Sequence, residues 1–174
     1  MQLEILIIIT LLEFIIAGFM IWIAWPSIIG APWIPTPRKK ASSMLELAEV
    51  DAEDIVYDIG SGDGRIIIMA ASEYGARSIG IEADPLRAMW SRIAIRRRGL
   101  VNMVNVLREN FFNSNIKDAT VVTVYQGKDV NKRLREKFSR ELRPGTRVVS
   151  YRFKFEGWLP VKTNEEASLY LYVI

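Results

Sequence analysis

Apolar positions are laid out in two ways along the chain. From Leu3 to Trp25 they are almost continuous, broken only by Glu4, Thr10 and Glu13. As a helix this stretch would extend roughly 35 Å, enough to cross a bilayer. Beyond Arg38, short apolar runs alternate with helical patterns. Ser42 or Ser43 is placed to cap a helix carrying Met44, Leu45, Leu47 and Ala48. A strand at Ile55-Val56-Tyr57 leads to a helix over Arg65–Tyr74, then a strand over Ser78–Glu82. Asp84-Pro85 starts a helix, with a capping carboxylate and proline at its first position, that runs through Trp90 to about Arg98. Strands follow over Met103–Leu107 and Ala119–Tyr125, then a basic helix over Val130–Leu142. Thr146–Phe155 reads as a strand continuing into a hairpin, and Ser168–Ile174 as the closing strand. Strands alternating with helices and ending in a hairpin predict an α/β fold, a mostly parallel sheet with an antiparallel edge.

The organisation follows: a transmembrane helix over 1–25, a proline-rich juxtamembrane segment over 26–40 and one domain over 41–174. A cleaved signal peptide is the other reading of the first stretch. It would need a basic leader, a shorter apolar run and a small-residue cleavage site, none of which is present. Trp22 and Trp25 fit an interfacial belt, and Glu13 would sit near mid-membrane as a functional acid or one bonded to a partner helix. That helix could also assemble the chain into a homo-oligomer. Pro26–Pro37 holds four prolines and cannot be helical for long. Its Trp33 and Ile34 are apolar enough to pack on the domain.

Charge fixes an orientation. No Lys or Arg precedes Arg38, whereas Arg38-Lys39-Lys40 follow soon after the apolar stretch, which places a single-pass protein in the cell membrane with its domain cytoplasmic. From Arg38 onward all 23 basic residues face only 18 of the 20 acidic ones, a net charge of +5 that suits an anionic membrane surface. Arg96-Arg97-Arg98 favour a helix C-terminus, or contact acidic lipid or RNA. The chain has no Cys and no His, which excludes disulfides, zinc sites of the usual ligands and Cys- or His-based nucleophilic machinery. Proton transfer falls to carboxylates, Tyr, Lys, backbone or water, and no metal site is expected. Missing Cys with many Ile, Arg and Glu leans towards a thermophile.

The candidate chemistry lies in Asp58-Ile59-Gly60-Ser61-Gly62-Asp63-Gly64, between the first strand and the next helix. Three glycines at alternate positions let the backbone turn sharply and approach a ligand, at a helix N-terminus. The dinucleotide fingerprint requires glycine three residues after Gly62, and Arg65 stands there. Carboxylates at Asp58 and Asp63 repel a pyrophosphate but suit a cationic ligand, and S-adenosylmethionine is one. Glu82, at the next strand end, is placed to accept hydrogen bonds from ribose hydroxyls. Asn110 is placed to bond an adenine edge and Phe111 to cover the ring, the alternative being an ordinary turn with a buried Phe.

Asp-x-Gly-x-Gly-x-Gly with a strand-end Glu resembles class I S-adenosylmethionine-dependent methyltransferases. Pro32-Trp33-Ile34-Pro35-Thr36-Pro37, Asn110-Phe111-Phe112, Leu142-Arg143-Pro144-Gly145-Thr146-Arg147-Val148-Val149-Ser150 and Leu169–Ile174 narrow the likeness. Over roughly 32–174 the chain resembles small archaeal protein-lysine methyltransferases and their membrane-anchored mitochondrial relatives. The resemblance implies a seven-stranded Rossmann-like sheet and S-adenosylmethionine as donor. It further implies a protein substrate methylated on lysine and a cofactor site drawing on Thr36 as well as Asp58, Gly60, Ser61, Gly62, Asp63, Gly64, Glu82, Asn110 and Phe111. Two positions depart from the pattern: Ser61, where Cys or another small residue is common, and the loop Tyr125-Gln126-Gly127 on the acceptor side.

Methyl transfer needs a neutral amine held close to the methyl carbon, so the site must disfavour an ammonium whose ordinary pKa is about 10.4. Tyr125 is the candidate for orienting that amine, a packed core tyrosine being the alternative. A methyltransferase of lipid head groups or other small membrane molecules fits the anchor and charge equally well. A non-catalytic S-adenosylmethionine-binding membrane protein is the rival of another class. RNA ranks last, because no concentrated basic-aromatic surface is visible.

Overall fold

The computed structural model describes residues 2–29 and 34–174. It divides into two compact units, Met1–Ile34 and Pro35–Ile174. The first is a helix, α1 (Gln2–Ile29), that passes through Pro26 rather than stopping before it. A proline removes one backbone hydrogen bond and here does not end the helix, so the expectation that helix stops at Trp25 is corrected at its boundary. Within α1, Gln2–Ile21 has a mean hydropathy of 2.5, long and apolar enough to cross a membrane by length and composition. Of Trp33 and Ile34, the two residues expected to pack the proline segment on the domain, Ile34 is exposed, whereas Trp33 and the side chains of Trp22 and Trp25 lie outside the described residues.

The second unit holds α2 (Arg38–Leu47), β1 (Ile55–Ile59), α3 (Arg65–Tyr74), β2 (Arg77–Ile81), α4 (Pro85–Arg97), β3 (Val104–Leu107), β4 (Val121–Val124), α5 (Lys128–Glu141), β5 (Arg147–Tyr151), β6 (Lys162–Asn164) and β7 (Leu169–Val173). The seven strands form one sheet in the order β3-β2-β1-β4-β5-β7-β6. The first five are parallel; β7 runs antiparallel to both β5 and β6. This is the predicted mixed sheet with its antiparallel edge hairpin.

α2 begins four residues before Ser42, with Pro37 at its N-cap and Lys40 and Ala41 donating to the Pro37 carbonyl. The expected serine cap is therefore wrong. No side chain caps this helix: Pro37 stands in the extended conformation of an N-cap, its carbonyl takes the first helical bonds, and Ser42 instead donates to Glu46 Oε1 at 2.7 Å. The Asp84 cap is present, its Oδ1 accepting from Leu86 N and Arg87 N at 2.9 Å each.

Alternating strand residues send side chains to opposite faces. Val56, Val121 and Val149 pack with α2 and α3, while Tyr57, Val122 and Val148 pack with Leu134 and Phe138 of α5. At the amino ends of the strands, buried Asp54 is held by Arg147, by the Thr120 hydroxyl at 2.6 Å and by Asp51 N at 3.0 Å. Arg147 also donates to the Ala48 and Glu49 carbonyls. The Arg-Pro-Gly-Thr-Arg string is thus an anchor on the side of the sheet away from the glycine loop.

Candidate functional site

Register fixes which loops meet. Ile59 pairs with Ile81 on one side and Val124 on the other, and Val124 pairs with Ser150. The chain segments opening at Gly60, Glu82, Tyr125 and Tyr151 therefore leave the sheet at one level, its carboxyl edge, where ligands of open α/β sheets bind.

The glycine loop is clamped to β2. Gly60 N and Ser61 N both donate to the Ile81 carbonyl, and Gly62 N donates to Glu82 Oε2 at 2.7 Å. Glu82 Oε1 accepts from Asp84 N at 2.8 Å. Glu82 is thus a brace of the loop, with one lone pair left on each oxygen for a ligand. Gly60 and Gly64 sit at φ +78° and +79°. A Cβ on Gly60 would collide with the Gln126 amide, which donates to the Ile59 carbonyl at 3.1 Å and ties β4 to the loop.

The acids differ in environment. Asp58 is buried and accepts the Thr123 hydroxyl at 2.7 Å. Burial pushes its carboxyl up to about 7; the Thr123 bond opposes that rise and the charges of Glu82 and Asp63 add to it. At Asp63 burial works upward, but bidentate bonds from Arg65 at 2.9 and 2.6 Å outweigh it and hold the carboxyl below its ordinary value. Arg65 also donates to the Thr36 carbonyl at 2.6 Å, which seats the buried Thr36 beside the loop. Among the described residues no cationic side chain faces Asp58 or Glu82, and the buried Ser61 hydroxyl has no hydrogen-bond partner. Two uncompensated buried acids and a free hydroxyl beside a glycine turn fit a ligand that brings positive charge and polar donors.

Asn110 is exposed, and its Oδ1 is taken by its own turn, accepting from Phe112 N at 3.0 Å. Phe111 is half-buried, meets the Phe112 ring at a centroid distance of 4.6 Å with the planes tilted by 56°, and packs on the α5 side of the core. Tyr125 meets Tyr151 at a ring distance of 4.5 Å, and its hydroxyl accepts from Arg152 at 3.0 Å. Arg152 has φ +67°, and Phe153 N closes on the Tyr151 carbonyl across it. A bulky residue with positive φ is a strained position of the kind found at functional sites. Arg152 went unnoticed in the sequence, since it lies in no motif and only the sheet register brings it to this edge; Gln126 was seen as part of the acceptor-side loop, but not its bond to Ile59.

A carboxyl-edge site of buried acids, a positive-φ glycine turn and the 3-2-1-4-5-7-6 sheet define an S-adenosylmethionine-dependent methyltransferase of class I. Residues 58–162 match the ANTKMT methyltransferase domain family, and the chain belongs to it. It is 41% identical over 150 residues, 82% of this chain and 93% of the relative, to a protein-lysine N-methyltransferase of Saccharolobus islandicus. It is 31% identical to the adenine nucleotide translocase lysine N-methyltransferase of Mus musculus over 82% of this chain, and spans only 62% of that relative. Among solved structures, an RNA methyltransferase from Salinibacter ruber, bound to S-adenosyl-L-homocysteine, superposes with a TM-score of 0.79 at 41% identity, covering 81% of this chain and 94% of that one.

Proposed function

We propose that the protein is a membrane-anchored methyltransferase that methylates lysine side chains of proteins, its domain on the cytoplasmic side of the cell membrane. The observation that carries the acceptor is the 41% identity to a protein-lysine N-methyltransferase over nearly that relative's whole length. When bound, the cofactor supplies an electrophilic methyl group on a sulfonium. Asp58, Gly60, Ser61, Gly62, Asp63, Gly64 and Glu82 hold it, with Thr36, Asn110 and Phe111 at the margins. Tyr125 orients the incoming amine. The Arg152 guanidinium fixes the Tyr125 hydroxyl, and its permanent charge disfavours a second cation nearby, which favours the neutral amine.

An RNA acceptor is the second reading, supported by the name of the Salinibacter structure. Incubating the purified full chain with labelled S-adenosylmethionine, membrane protein, total RNA and lipid extract separates the alternatives. Label recovered as methyl-lysine supports the proposal; label confined to RNA or to the organic phase refutes it. Cofactor binding with no label anywhere would indicate a binding protein.

Tyr125→Phe tests the orienting role. The variant keeps the ring on Tyr151 and loses the hydroxyl, so kcat should fall roughly tenfold to a hundredfold with cofactor affinity unchanged. An unaltered kcat in a progress assay would return Tyr125 to the core.

A further inference from the structure

We propose that the outward face of α4 is a docking strip for an anionic lipid surface, an inference that rests on the membrane-anchored reading above. Ala88, Ser91 and Ile95 bury the inward face of the helix. Leu86, Met89, Trp90 and Ile93 nevertheless form a second apolar stripe at the i, i+3, i+4, i+7 spacing of one helix face. They are 43%, 45%, 67% and 39% exposed, so the fold of the domain makes little use of them. A contiguous apolar stripe of this kind on a folded surface marks an interaction site.

Charge selects the occupant. No acidic residue occurs from Pro85 to Gly99, while Arg92, Arg96, Arg97 and Arg98 line the same helix and its end. Arg92 and Arg98 each spend one nitrogen on a backbone carbonyl, of Val106 and Ala94, and keep their charge. Aliphatic side chains with an interfacial tryptophan and a border of arginines are what a helix lying on anionic headgroups requires. Leu86, Met89 and Ile93 would gain nothing from RNA, which rewards stacking surfaces. α4 starts at the Asp84 cap, two residues beyond Glu82, so the strip begins at the rim of the cofactor site. Docked this way, the domain would meet lysines close to the lipid surface.

The chain has no cysteine, so single-cysteine variants take one nitroxide label each. Met89→Cys reports on the strip and leaves Trp90 in place; Glu53→Cys, exposed at the opposite edge of the sheet, is the control. In nanodiscs containing phosphatidylglycerol, the label at 89 should become oxygen-accessible and shielded from a water-soluble nickel chelate, while that at 53 stays aqueous. Replacing the lipid with phosphatidylcholine alone, or adding Arg96→Gln and Arg97→Gln, should reverse the shielding at 89. A label at 89 that stays nickel-accessible in anionic discs overturns the proposal. Equal shielding in neutral and anionic discs overturns the selection of an anionic surface, and shielding that appears only on adding an RNA oligonucleotide overturns the proposal in favour of a nucleic-acid occupant. Failure of the anchor itself is read separately: alkaline carbonate would then extract the full chain, and the label at 89 would still report binding to added anionic vesicles.

Discussion

Asp58→Asn should abolish most cofactor affinity while making the ligand-free protein more stable at alkaline pH. The two effects share one cause, since the buried carboxyl is held near 7 in the folded chain against 3.8 for the free group. Between those values the folded state keeps a proton that the unfolded chain has released. Stability from Asp58 is therefore present below about pH 4 and lost as pH rises to about 7, a cost of at most about 4 kcal/mol at alkaline pH. Asn removes that cost and can still accept the Thr123 hydroxyl through its own Oδ1. Melting curves of the full chain should rise in the variant at pH 8 and coincide with wild type at pH 4. For binding, a cationic ligand left without its buried counter-charge loses about 3 kcal/mol or more, roughly a hundredfold in Kd. Titration calorimetry should also find wild-type affinity weakening about tenfold for each pH unit well below 7, and no such dependence in the variant. Retained affinity at neutral pH would remove Asp58 from the cofactor site.

Why some of this was legible in the sequence and some was not has a physical reason. Strand and helix positions follow from local periodicity, so α3 falls on the expected Arg65–Tyr74 and the hairpin at the expected edge. The acids and glycines of the loop were readable because loop chemistry is written in consecutive residues. Helix ends were less so: Ser42 has the right chemistry for a cap, yet the helix starts four residues earlier, after Pro37, with no side-chain cap at all. Arg152 lies 27 residues beyond Tyr125, and only the pairing of β4 with β5 brings the two together. The double duty of Glu82, brace and candidate ligand, depends on where two backbone amides point. The sequence can show that an acid ends a strand, and the folded chain shows what else that acid already holds.

Gly64→Ala is the second large effect, and its size can be traced to two separable causes. At φ +79° an alanine is strained by about 1–2 kcal/mol whatever surrounds it. The added Cβ would also overlap the Ser91 hydroxyl, and Ser91 is fully buried on α4, so overpacking adds about 1–3 kcal/mol. Relief by moving the loop would break the bond from Gly62 N to Glu82 and displace the backbone that faces the cofactor. The variant should thus lose about 2–5 kcal/mol of stability and all measurable cofactor binding. Ser91 separates the causes. Its hydroxyl is buried without a partner, so Ser91→Ala alone should be neutral or slightly stabilising. Combined with Gly64→Ala it should recover most of the steric part by removing the overlap with the hydroxyl, and leave the backbone strain together with a tight 3.2 Å contact between the Ser91 Cβ and the new methyl. Thermal melts of the two single variants and the double variant give the coupling energy directly. A coupling near zero would mean that the cost of Gly64→Ala is backbone strain alone and that α4 does not wedge the glycine turn in place.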